Sequence, residues 1–255
     1  MTTTLELPSV ELYRLLGSVA PFAATEDPGL RSWSASNRIR LSINPAAVAG
    51  ATPIVRTMAC DNHVFGIYRH ELTANDHADD DDMPVHDVTI SREDVAAMMK
   101  LLKSAGGRKF TGTSRLTLES GTGELSTMGF GDHALTTTPP GARSNFSATL
   151  ARVFAPTTER RTQSTAAITV DTALFSAVLK AAAAVNVTIP ARDVGEPLTW
   201  WPGQTPSAAT GFMVGERLAG AIMPWGLPEG ESRRARWVQY STETGWPAGS
   251  SEVSV

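Results

Sequence analysis

One stretch of this chain occurs more than once, and that limits the possible folds more than any bulk property does. From Val88 to Lys100 the sequence reads as a short strand running directly into a helix. Ser91 stands at the N-cap, Glu93 and Asp94 complement the dipole in the first turn, and Val95, Met98, Met99 and Leu102 recur at i, i+3, i+4 and i+7. Gly106 and Gly107 then end the helix. Ile168 to Lys180 aligns with this stretch without a gap, 80 residues later. Thr, Ala and Lys are identical at three aligned places, Asp171 replaces Ser91 as the cap, and the apolar positions coincide. A weaker third copy opens the chain: Leu7 matches Ile90, Leu12 matches Val95, and Leu15-Leu16 match Met98-Met99. A strand-helix unit used three times outranks any single motif.

Between the copies the chain reads as antiparallel strands. Arg38 to Ile43 alternates strictly, and Ile54 to Leu72 is rich in Val, Ile, Phe and Tyr around an Asp61-Asn62 turn. Arg115–Glu119 and Glu124–Met128 flank Ser-Gly-Thr-Gly, a hairpin signal. Phe146 to Phe154 is a short helix, with Leu150, Val153 and Phe154 on one face. Strands return at Pro197–Trp201 and Gly211–Pro224, and Ala235–Tyr240 offers one more. Pro21–Ser36 is a loop, and Thr136–Arg143, with Pro139-Pro140-Gly141, is the best boundary between units. Strands, helices and hairpins repeated in this order predict an α+β class with helices on one side of the sheets. The expected domains are 1–140, an abbreviated 141–228, and a polar extension at 229–255.

At 255 residues with 42% hydrophobic content, the chain has material for one large domain or two ordinary ones. No apolar run approaches the ~20 residues that span a bilayer, and no signal-peptide pattern opens the sequence, so the expected location is cytoplasmic. The one cysteine, Cys60, fits a reducing compartment and, in its apolar run, reads as a buried inert thiol. Net charge is −4, which on its face argues against nucleic acid. Five of the 26 acidic residues, however, lie between Asp76 and Asp82; without them 22 basic residues face 21 acidic ones. The acidity is local, and a basic surface elsewhere is open.

The elements in this order resemble the DNA sliding clamps, ring-shaped processivity factors of replicative polymerases, and in particular the bacterial polymerase III beta-subunit type. Two motifs sharpen the resemblance. Ala59 to Tyr68, with Asp61-Asn62-His63, looks like the clamp strand that carries Thr-Asp-Gly-His-Arg-Leu. Leu218 to Trp225 looks like the closing strand that ends in Val-Met-Pro-Met. Asn145-Phe146 through Pro156 is similar to the segment that opens a clamp domain. The match covers roughly residues 5–225 and points to a divergent clamp, of phage or mobile-element type. Val64 stands where the family has Arg and Asn62 where it has Gly, which alters the polar part of the family's groove. The chain also runs 30 residues past Trp225, and its second domain lacks the hairpins expected between two helices.

The resemblance implies a DNA-clamp fold of repeated β-α-β-β-β units, helices lining a hole and sheets forming the outer wall. It implies a homo-oligomeric ring, dimer or trimer, around duplex DNA, with a clamp loader, a DNA polymerase and other clamp-binding-motif proteins as partners. It places His63 and Phe65 on one wall of the peptide groove, and Met223, Pro224 and Trp225 on the other. Candidate phosphate contacts, electrostatic and independent of sequence, are Arg14, Arg92, Lys100, Lys103, Arg108, Lys109, Arg152 and Lys180. Lys100 and Lys180 hold one position in two copies; as ordinary solvated helix lysines they would read the same.

Other chemistries find less support. The Asp run with His77 lacks the glycine and spaced ligands of a calcium loop and reads as a solvated loop. His63, His70 and His86 match no zinc spacing. There is no Gly-x-Ser-x-Gly elbow, no Gly-Lys-Ser/Thr loop and no His-Glu-x-x-His, so no catalytic residue, cofactor or metal is expected. Trp200 and Trp201 read as core rather than partner anchors; only Trp225 merits a partner role. Two other functions remain open at this point: a clamp-fold module that binds replication proteins without encircling DNA, and a divalent-metal enzyme built on the Asp run.

Overall fold

A computed structural model of the chain describes residues 2–25, 37–44, 53–61, 63–73, 76–78, 86–106, 112–139, 170–188, 195–201 and 209–223. The expected helix at 146–154, the strand at 235–240, the extension at 229–255 and residues 79–82 of the Asp run fall outside them.

All three copies of the repeat are helices, and the second and third carry side-chain caps. Strand β1 (Thr3–Pro8) leads into α1 (Ser9–Gly17), and β6 (His86–Ser91) into α2 (Arg92–Gly106); α3 (Thr172–Val185) follows Asp171. At the start of α2, the Ser91 hydroxyl accepts the Asp94 N–H at 3.0 Å and donates to the Asp94 carboxylate at 2.8 Å, a reciprocal cap. At α3, the Asp171 carboxylate accepts the Ala173 N–H at 2.6 Å. The aligned apolar positions are buried or partly buried in α1 and α2, but in α3 Phe175 and Leu179, the counterparts of Val95 and Met99, are exposed, which corrects the expectation of three equivalent apolar faces. Leu12, Leu15 and Leu16 of α1, Val95, Met98 and Leu102 of α2, and Val178, Ala181 and Val185 of α3 are buried in one shared core. Each large side chain among them contributes roughly 1.5–3 kcal/mol by leaving water.

The helices lie against a single antiparallel sheet. Its remaining strands are β2 (Arg38–Asn44), β3 (Ile54–Cys60), β4 (Val64–Glu71), β5 (His77–Ala78), β7 (Thr113–Leu118), β8 (Thr122–Thr127), β9 (Gly131–Thr138), β10 (Leu198–Trp201), β11 (Thr210–Val214) and β12 (Leu218–Ile222). The order across the sheet is β10-β11-β12-β4-β3-β2-β6-β9-β8-β7-β1-β5. Alternation sends Leu5 and Leu7, Ile39, Leu41 and Ile43 toward the helices, while Thr4, Glu6, Arg38 and Arg40 face away. The Thr57 hydroxyl donates to the Leu15 carbonyl and ties β3 to the end of α1.

Two readings are corrected here. Thr136–Thr138, placed in a boundary, belongs to β9, which pairs along β8 and touches β6 through Thr137↔Ile90 and Thr138↔Thr89. In Gly131–Thr138 only Leu135 and Thr137 are buried, too few to give an apolar alternation. Gly211–Pro224 is not one strand but the hairpin β11–β12, turned at Gly215, whose φ of 53° is the left-handed region that suits glycine. That hairpin joins the first unit directly: β12 pairs with β4 from Ile222↔Val64 to Leu218↔Tyr68. One sheet therefore runs through both expected domains.

Candidate functional site

The two segments quoted for the partner groove are distant in sequence and adjacent in space. The turn between β3 and β4 is held by Asp61, whose carboxylate accepts the N–H groups of His63 (2.9 Å) and Val64 (2.8 Å). His63 is thereby presented in the open, and its carbonyl accepts the Met223 N–H at 2.6 Å just beyond the end of β12. Met223 is 43% exposed and His63 is exposed too, so two exposed residues stand side by side at one sheet corner. Behind them, Met58, Cys60, Phe65 and Ala221 form a small buried cluster separate from the main core. These residues alternate with the core-facing Ala59, Val64 and Ile222, which puts the cluster on the sheet face away from the helices. Phe65 is thus buried in this cluster, on the sheet face away from the helices. Cys60 is a buried thiol outside any disulfide, as its apolar run suggested. Pro224 and Trp225 lie outside the described residues.

On the other face, the cations divide into two groups. Lys100 and Lys103 on α2 and Lys180 on α3 are exposed and form no ion pair with any described residue. The ammonium of Lys103 lies 5.4 Å from the Tyr13 ring centroid, a cation–π contact that leaves its charge in place. Arg92, half-buried at the first turn of α2, donates to the Ala23 carbonyl at 3.2 Å and has no carboxylate partner among the described residues. Arg14 behaves differently. Its guanidinium is committed within the protein, paired with Glu11 and donating to the Thr188 hydroxyl at 2.8 Å. Arg108, Lys109 and Arg152 lie outside the described residues.

Arg14 belongs to a polar network that sequence reasoning missed. Glu11 of α1 pairs with Arg14, with Arg217 at 2.9 Å in the β11–β12 turn, and with His70 Nδ1 at 3.5 Å on β4. His70 Nε2 in turn faces Asp76 at 3.3 Å. Tyr68, fully buried on β4, accepts a hydrogen bond from Arg217 at 3.4 Å. Burial holds the Tyr68 phenol above its ordinary pKa, against the opposing pull of the Arg217 hydrogen bond. That same bond raises Arg217. The network fastens helix α1, strand β4 and the β11–β12 hairpin together at the seam of the sheet. Nothing local marks it: His70 and Arg217 are 147 residues apart. Among the described residues no group of His, Cys, Asp and Glu has the arrangement of a metal site.

Helices side by side on one face of a continuous antiparallel sheet, built from strand-helix-hairpin units used in succession, define the class. The chain has an α+β, DNA-clamp type of fold, as the sequence resemblance implied. Among solved structures it is similar to the DNA polymerase III subunit beta from Pseudomonas aeruginosa (TM-score 0.57, 12% identity), with 88% of this chain and 66% of that chain covered. It is likewise similar to a DnaN sliding clamp of the same organism bound to griselimycin, with TM-score 0.56, 12% identity and coverage of 88% and 65%. The DnaN clamp from Bartonella birtlesii bound to griselimycin gives TM-score 0.55, 15% identity and coverage of 88% and 66%. The chain therefore spans a little under two thirds of the length of these clamps. No protein-family model and no curated protein matches the sequence. No described helix is long and apolar enough to cross a membrane.

Proposed function

We propose that this chain is a sliding-clamp protein, a subunit of a closed ring that encircles duplex DNA and tethers replication proteins to it. The observation that carries the reading is the helix face. Three helices cover one side of a single sheet, and Lys100, Lys103 and Lys180 extend from them unpaired by any described carboxylate. Cations without partners on a rigid surface suit a polyanion held through its phosphates, without base readout. Arg92 adds a fourth charge, and Arg108, Lys109 and Arg152 would extend the set; Arg14 would instead brace α1. One chain holds too few sheet-helix units to close a full turn, so the ring is a head-to-tail homo-oligomer, a dimer or a trimer. The His63–Met223 corner, backed by the Phe65 cluster, is the docking place for short partner segments with apolar anchors, from a polymerase or a loader. The role is mechanical: no catalytic residue, metal or cofactor takes part. The cytoplasm is the compartment this reading implies.

Solution mass and topology test it together. A ring of two or three chains at micromolar concentration should stay on nicked circular plasmid and be lost when the plasmid is linearised. Lys100→Glu with Lys180→Glu should abolish retention without changing the mass. A strict monomer that binds circles and linear DNA alike would sink the ring and leave a non-encircling module.

A further inference from the structure

Between α1, the 3-10 turn at Ala20–Phe22, α2 and α3 lies an open cleft of about 550 Å³. Its walls explain why it is empty. Ala96 of α2 faces Ala173 and Ala177 of α3, positions where a leucine on either helix would reach into the space. At the floor is Gly17; a Cβ there would lie 3.0 Å from the Met99 methyl and 3.3 Å from Ala184. The helices thus converge at the base of the cleft and leave it open above. Its volume falls in the range of about 300–1,000 Å³ usual for small-molecule sites.

The charges are as one-sided as the shape. Arg92 stands on one wall and Lys180 on the other, and no aspartate or glutamate lines the cleft. Arg92 gives one N–H to the Ala23 carbonyl, and neither cation pairs with a described carboxylate. Between them the lining is alanine, glycine, methionine and proline with the side chain of Tyr13, so apart from that one phenol it is apolar. An apolar trough with a cation on each bank selects a ligand that is itself divided, an apolar body ending in one anionic head. A docked helix fits less well. One helical turn fills roughly 400 Å³ at a diameter near 10 Å, so the cleft has room for little more than a single turn.

We infer that this cleft binds an amphiphilic organic anion of the fatty-carboxylate kind, its acyl chain against the alanines of α2 and α3 and its carboxylate between Arg92 and Lys180. The inference does not depend on the ring, because the site lies within one chain and binding is measured without DNA.

The test uses the full chain and 8-anilinonaphthalene-1-sulfonate as a fluorescent probe. Dodecanoate and dodecyltrimethylammonium, both kept below their micelle concentrations, compete for the site. One saturable, blue-shifted site is expected, which dodecanoate displaces at a concentration about tenfold below that of its cationic analogue. Ala177→Leu, which fills the trough, should weaken dodecanoate about tenfold or more. Ala173→Leu, at an exposed position where folding is not at risk, should do the same in a smaller degree. Lys180→Gln should remove most of the preference for the anion. Equal displacement by both amphiphiles, unsaturable probe binding, or unchanged dodecanoate affinity in a leucine variant with normal thermal unfolding would each overturn the assignment.

Discussion

The seam between β4 and β12 rests on two glycines placed opposite each other, and it makes a quantitative test of how the C-terminal hairpin is held. Gly66 and Gly220 are cross-strand partners. Two fully buried rings, Phe22 and Phe212, occupy the room their missing side chains leave, with centroids 5.6 Å apart. A Cβ at Gly66 would lie 2.6 Å or less from the Phe22 ring, far inside van der Waals contact. Gly66→Ala therefore overpacks a filled core, which costs about 1–3 kcal/mol. The alanine recovers about 0.5–1 kcal/mol through reduced chain entropy in the unfolded state, so the net loss expected is about 1–2 kcal/mol. Set against a domain stability of about 5–15 kcal/mol, that is measurable by equilibrium urea unfolding.

The clash is with a side chain, and that can be proved. In a Phe22→Leu background the ring is gone, and Gly66→Ala should then cost nothing or stabilise, a coupling of about 1–2 kcal/mol between the two sites. Gly220→Ala supplies the contrast. Its Cβ would meet the Phe65 carbonyl oxygen, which is backbone of β4, as well as the Phe212 ring at 2.8 Å or less. Neither Phe22→Leu nor Phe212→Leu relieves a backbone contact, so its cost of about 3 kcal/mol should persist in both backgrounds. If Gly66→Ala costs the same with and without Phe22, the reasoning about the seam is wrong.

Two further outcomes follow from the local chemistry. Asp171→Ala removes the carboxylate that accepts the Ala173 N–H and should lower stability by about 1 kcal/mol, whereas Asp171→Asn should restore most of it in the same unfolding assay. The buried Tyr68 phenol keeps its proton in the fold at pH values where the unfolded chain gives it up. Its contribution is thus complete below about pH 10 and is lost as pH rises through the higher folded value. Unfolding free energies measured from pH 8 to 11 should decline at the alkaline end, less steeply in Tyr68→Phe; identical slopes would remove Tyr68 as the cause.

Much of the fold was legible in the sequence, and the parts that were not share a cause. Val95, Met98 and Leu102 announce their helix face through a period of 3.6, and Ser91 and Asp171 announce where helices start through chemistry confined to four residues. His63 and Met223 were paired only through resemblance to a clamp; no local pattern says that residues 160 positions apart share a hydrogen bond. Strand β9 went unread because its outward positions carry Asp132, Ala134 and Thr136 and its inward ones little more than Leu135. Arg14 and Lys100 look equivalent as basic residues on amphipathic helices. Only the fold shows that Glu11 takes one into an ion pair while the other is left to solvent.

The sequence alone settled what short-range physics controls: three helices, two of them capped by Ser91 and Asp171, hairpins between them, and an α+β class. Tertiary structure decided what depends on register between distant segments. It laid β12 along β4, set Gly66 against Gly220, gathered Glu11, His70, Asp76 and Arg217 at one seam, and opened a cleft between Arg92 and Lys180. Each of these rests on contacts whose partners are far apart in the chain, and a strand's own alternation says which face it buries but not which edge it will meet.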